Sequence, residues 1–81
     1  MSTELSERSR AVLDFEAEWP AHGPAKEDAI RAQLDIEPAR YYQQLGRLIE
    51  DPLAAQYAPL LVGRLRRLRE NGSSRRASLL R

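Results

Sequence analysis

Arg40, Gln43, Gln44 and Arg47 are the residues whose types and spacing could do chemistry. At about 100° per residue they share one arc of a helix, opposite Tyr41, Tyr42, Leu45, Leu48 and Ile49. An arginine fork pairs bidentately with a guanine edge, and a glutamine amide pairs with adenine. Such a polar arc is ordinarily a solvated helix face. This one contains no acid, although residues 1–61 carry eleven Asp/Glu against six Lys/Arg, a net of −5.

A second basic set lies further along. Residues 62–81 carry seven arginines against the lone Glu70, a net of +6, so the chain's overall charge of +1 conceals an acidic body and a basic end. Arg64, Arg66, Arg67 and Arg69 crowd one helix, and Arg75, Arg76 and Arg81 follow it. Density of this kind suits phosphate binding, because each neutralised phosphate releases counterions. Phosphate contacts are therefore expected from Lys26, Arg64, Arg66, Arg67, Arg69, Arg75 and Arg76. Arginines on the helix alone could equally pair with the acidic body, in exposed ion pairs of little energetic worth.

Catalysis has almost no candidates. The chain has no cysteine and one histidine, His22, which sits in a turn with no second ligand type near it. Asp14, Glu16 and Glu18 resemble paired carboxylates but fall on a helix read as exposed. There is no glycine loop for phosphates and no Ser-His-Asp set. No enzyme activity, metal or cofactor is expected. The polar start Met1-Ser2-Thr3-Glu4 does not resemble a signal peptide, and the longest apolar run, near Pro59–Val62, is too short for a membrane span. The expected location is the cytoplasm.

The elements that must position these residues are helices separated by turns. The first is predicted over about Ser6–Trp19, with Ser6 as N-cap, Pro20 as stop, and Leu5, Val12, Phe15 and Trp19 as its apolar stripe, flanked by Ala11 and Leu13. The second covers about Ala25–Leu34. Asp35-Ile36-Glu37 is a three-residue break whose Ile36 can tuck between helices. Pro38 suits the first turn of a third helix, Pro38–Glu50. Leu53–Ala58 reads as one loose turn. The last helix covers Pro59 to Arg69 or Glu70, with Leu61, Val62, Leu65 and Leu68 as its stripe, and Asn71-Gly72 reads as its stop. Ser73–Arg81 reads as disordered when free. Residues 25–49 thus have the rhythm of a helix-turn-helix, whose second helix enters the DNA major groove.

The runs Ala25-Lys26-Glu27, Ala29-Ile30-Arg31 and Pro38-Ala39-Arg40-Tyr41-Tyr42-Gln43 resemble a group of short actinobacterial proteins. So do Leu13-Asp14-Phe15-Glu16 with Trp19, Asp51-Pro52, Pro59-Leu60-Leu61-Val62 and Arg64-Leu65-Arg66-Arg67-Leu68-Arg69. The group is filed as a domain of unknown function, family thirty-two sixty-three, and the resemblance covers about residues 5–70. It implies a small helix-turn-helix protein, in a family where a mycobacterial member is described as nucleoid-associated and DNA-binding. It also implies DNA contacts from Arg40, Gln43 and Gln44. Family members often carry Gly where Asp35 stands and Ser where Glu37 stands, and both differences add negative charge beside the presumed DNA face.

The expectation is an all-α domain of about four helices over residues 5–70, with a central helix-turn-helix and a flexible basic tail over 71–81. The expected function is binding of double-stranded DNA at the nucleoid, as a transcription regulator or nucleoid-associated protein. The alternative is an adaptor that docks on RNA polymerase or another transcription protein through its acidic body or basic helix. Membrane association is disfavoured, since the last helix has no aromatic residue on its apolar arc. Helix-turn-helix proteins commonly act as dimers, but no zipper pattern is present, so a homodimer stays open. A single-duplex interface further requires the Arg40–Arg47 face and the C-terminal arginines to share one surface.

Overall fold

The fold follows from where the chain can cap and break its helices. In a computed structural model, residues 4–79 are described, with side chains over residues 4–70. Helix α1 spans Glu7–Glu18, and the hydroxyl of its N-cap Ser6 accepts from the Ser9 N–H at 3.1 Å. It ends at Trp19, the residue before Pro20. Helix α2, Pro24–Ala29, starts with Pro24 in its first turn and Gly23 at φ 154°, a value that L side chains rarely adopt. It continues without a break as a π-helical turn, Ile30–Leu34, which the spacing of apolar residues does not announce. Asp35 then reverses the chain at φ 56°, ψ 40°.

Helix α3, Pro38–Ile49, begins two residues after Ile36, and Ile36 packs on the core as its position in the break suggests. The segment read as a loose turn is a helix, α4, Pro52–Tyr57, because Asp51 caps it by accepting from the Leu53 N–H at 2.9 Å. Helix α5, Pro59–Leu79, continues past Asn71-Gly72, where a stop is expected. The expected basic tail, with Arg75, Arg76 and Arg81, lies outside the residues whose side chains are described. The architecture is all-α, with no strand among the described residues.

α1 packs on α3 and α4, and α3 packs on α5. Val12, Leu13, Phe15, Ile30, Tyr41, Leu45, Leu48, Ile49, Ala54 and Val62 are buried together. Phe15 stacks with Trp19 and meets Tyr41 edge to face, with centroids 6.0 and 5.5 Å apart. Leu68, assigned to the apolar stripe of the last helix, is 60% exposed, because α5 extends beyond the core at that point.

Two charged residues are inside this core, against expectation. Lys26 and Glu16 are each 1% exposed and pair at 2.7 Å. The Tyr41 hydroxyl donates to the same Glu16 oxygen, and the Lys26 ammonium lies 5.7 and 5.6 Å from the ring centres of Tyr41 and Tyr42. Lys26 also lies 3.2 Å from His22 Nδ1, which is 3.0 Å from the Tyr42 hydroxyl. Lys26 is therefore removed from the phosphate-contact set: its ammonium is consumed inside the protein and cannot reach a ligand. Glu16 likewise is not on an exposed face. Its place is four residues after Val12 and three after Leu13, on the buried side of α1.

Removing one partner strands the other, so Lys26→Met is expected to cost about 3–5 kcal/mol in chemical denaturation. Adding Glu16→Gln to that variant recovers much of the loss, since the amide oxygen still accepts from Tyr41. Burial, then the bond to Glu16 and its charge, push the Tyr41 phenol well above its ordinary value. A tyrosine whose ionisation is suppressed by folding stabilises the fold below its unfolded value of about 10 and loses that contribution as pH rises beyond it. Stability is thus expected to fall above pH ~10, with phenolate absorbance from Tyr41 rising only together with unfolding. Loss of this coupling in Tyr41→Phe checks the assignment.

Candidate nucleic-acid interface

The helix-turn-helix is made by α2 with its π turn, the link Asp35–Glu37, and α3. Its handedness depends on Asp35, which occupies the left-handed region usually left to glycine. Beyond the turn, Tyr41, Leu45, Leu48 and Ile49 hold one side of α3 in the core. This leaves Arg40, Gln43 and Arg47 exposed along the other side. Gln44 is half-buried, at the edge of α3 nearest α1. Neither Arg40 nor Arg47 has an ion-pair partner among the described residues, so both guanidinium groups are available.

Acids at the two ends of this stripe are not available in the same sense. Glu37, the N-cap residue of α3, pairs with Arg31 at 3.3 Å, and Arg31 also meets Asp28 at 3.4 Å. Glu50, just past the C-terminus of α3, pairs with Arg69 of α5 at 3.4 Å. These are exposed contacts of small stability value, but each offsets a negative charge beside the stripe. Arg31 is not among the expected site residues, since its role follows from the fold of the turn.

The arginines of α5 divide. Arg66 is half-buried, and its Nε donates to the Ile49 carbonyl at 2.7 Å, satisfying one of the free carbonyls that end α3. Arg66 and Arg69 thus face α3. Arg64 and Arg67 lie about 160° and 100° around the helix from Arg66, on the side of the 89%-exposed Leu60. They are exposed and have no ion-pair partner among the described residues. The expected single surface therefore holds for Arg69 with α3 and not for Arg64 and Arg67, because successive residues of one helix cannot all face one neighbour.

Among the described residues no group of three His, Cys, Asp or Glu could hold a metal ion, and no helix is long and apolar enough to cross a membrane. The Tyr57 hydroxyl donates to the exposed carboxylate of Asp14 on α1 at 2.9 Å.

A family model described as "Protein of unknown function (DUF3263)" matches residues 4–77. No curated protein and no solved structure matches the chain.

The turn offers a direct check. Asp35→Gly is expected to fold with stability within about 1 kcal/mol of the parent, whereas Asp35→Val, β-branched at positive φ, loses roughly 1–2 kcal/mol or more. Equal thermal midpoints for the two variants would exclude a left-handed residue at this turn.

Proposed function

We propose that this chain, which belongs to the DUF3263 family, binds double-stranded DNA by placing α3 in the major groove. Its setting is the actinobacterial nucleoid, where it acts as a small transcription regulator or a nucleoid-associated protein. The observation that carries this reading is the stripe Arg40, Gln43 and Arg47: exposed, on the second helix of a helix-turn-helix, and flanked by Glu37 and Glu50, which arginines of other elements already occupy. Arg40, nearest the N-terminal end of α3, is placed to read a guanine edge, and Gln43 to read adenine. Gln44 continues the contact with the bases, and Arg47, two turns after Arg40, lies where the helix edge meets the phosphate strand. Arg69 neutralises Glu50 at the C-terminal end of the stripe.

A second reading is favoured by the far side of α5. There Leu60 and Leu68 are 89% and 60% exposed, in line with Arg64 and Arg67. An apolar strip edged with arginine fits an acidic protein surface, as an adaptor of the transcription machinery would need.

A titration of duplex DNA at several salt concentrations separates the two. With about five phosphates neutralised, log K against log[salt] falls with a slope of roughly −4 to −5. Arg40→Ala weakens preferred sites by about 1–3 kcal/mol and random duplex less. A binding constant indifferent to salt overturns the DNA reading and leaves the adaptor.

A further inference from the structure

One arginine near the reading helix has no role so far. α1 carries two. Arg10 is engaged, its Nη1 donating to the Leu5 carbonyl at 3.3 Å. Arg8 is exposed and has neither an ion-pair nor a hydrogen-bond partner among the described residues. It lines an open hollow of about 340 Å³ between the start of α1 and the outer edge of α3, together with Ser6, Ser9, Gln44, Arg47 and Asp51. Two unpaired guanidinium groups from different helices therefore open onto one space, with two hydroxyls and an amide around them. Asp51 is the one acid there, and its carboxylate is engaged as the cap of α4.

We infer that Arg8 and Arg47 form a seat for one backbone phosphate of double-stranded DNA beside the reading helix. The inference rests on the DNA reading above. A helix with its side chains is about 10–12 Å across, close to the roughly 12 Å width of the major groove. Groups on a neighbouring element that rim such a helix accordingly meet the sugar–phosphate strand rather than the bases. α1 provides that rim on one side of α3. Guanidinium is suited to the contact, since its fork matches two phosphate oxygens. Arg8 thereby takes the place that Lys26 cannot fill. A phosphate contact also fixes the register of the reading stripe without carrying sequence information.

The test is fluorescence anisotropy of a labelled mixed-sequence duplex and of a preferred duplex, with the full chain and its Arg8→Gln and Arg8→Lys variants. Arg8→Gln is expected to weaken both duplexes alike, by about fivefold or more at low salt, and to flatten the salt slope by about one. Arg8→Lys retains the slope. Circular dichroism midpoints stay at the parent value, because the exposed Arg8 has no ion-pair or hydrogen-bond partner among the described residues. If the parent binds with a steep slope and Arg8→Gln leaves affinity and slope unchanged, the seat is wrong and the DNA reading stands. A parent chain that does not bind duplex overturns both.

Discussion

The arrangement of the first three helices depends on one buried charge pair. Glu16 comes from α1, Lys26 from α2 and Tyr41 from α3, and all three meet at a single carboxylate oxygen and its neighbours. Two ions taken out of water repay the loss only if they meet in good geometry with their remaining valences satisfied. Here they do: no buried side-chain nitrogen or oxygen among the described residues lacks a partner. Apolar residues of similar volume would hold the helices together about as well. The pair instead restricts how they meet, since a shift of α2 along α1 would leave an ammonium buried beside rings with no counter-charge.

That constraint reaches the candidate interface through α3. Tyr41 and Tyr42 follow Arg40 directly and precede Gln43 directly, so the network that holds the two rings also sets the direction of the polar residues around them. The edge-to-face contacts of Tyr41 with Phe15 and with Tyr42, at 5.5 and 5.0 Å between centroids, extend the same restraint across the core. At the other end, Arg66 and Arg69 tie α5 to the last residues of α3. Helix α3 is thus held at its start by a charge network and at its end by arginine contacts.

Much of this was legible along the chain. The α3 wheel separates cleanly because five large apolar residues recur at helical spacing, and burial of that side leaves Arg40, Gln43 and Arg47 outward. The caps at Ser6 and Asp51 and the prolines at the starts of α2, α3 and α4 act over a few residues, which is the range that local sequence controls. Glu16 and Lys26 are read wrongly when judged by residue type. Judged by position they carry a signal: each falls on the apolar stripe of its helix, Glu16 after Val12 and Leu13, and Lys26 before Ala29 and Ile30. Their pairing carries none, because it depends on the angle at which α1 and α2 cross.

By itself, the sequence determined the all-α class, the helix breaks before Pro59, the two-faced α3 and the separation of an acidic body from a basic end. Each is a property of spacing or of charge along a line. Only the tertiary structure decided which charges are free. It withdrew Lys26 into the core, assigned Arg66 to a carbonyl, and set Arg31 and Arg69 against the acids flanking the stripe. It turned Arg64 and Arg67 away from α3 and brought Arg8 beside Arg47. The physical reason is that the availability of a charge depends on its neighbours in space, and those are set by helix crossings that no local pattern encodes.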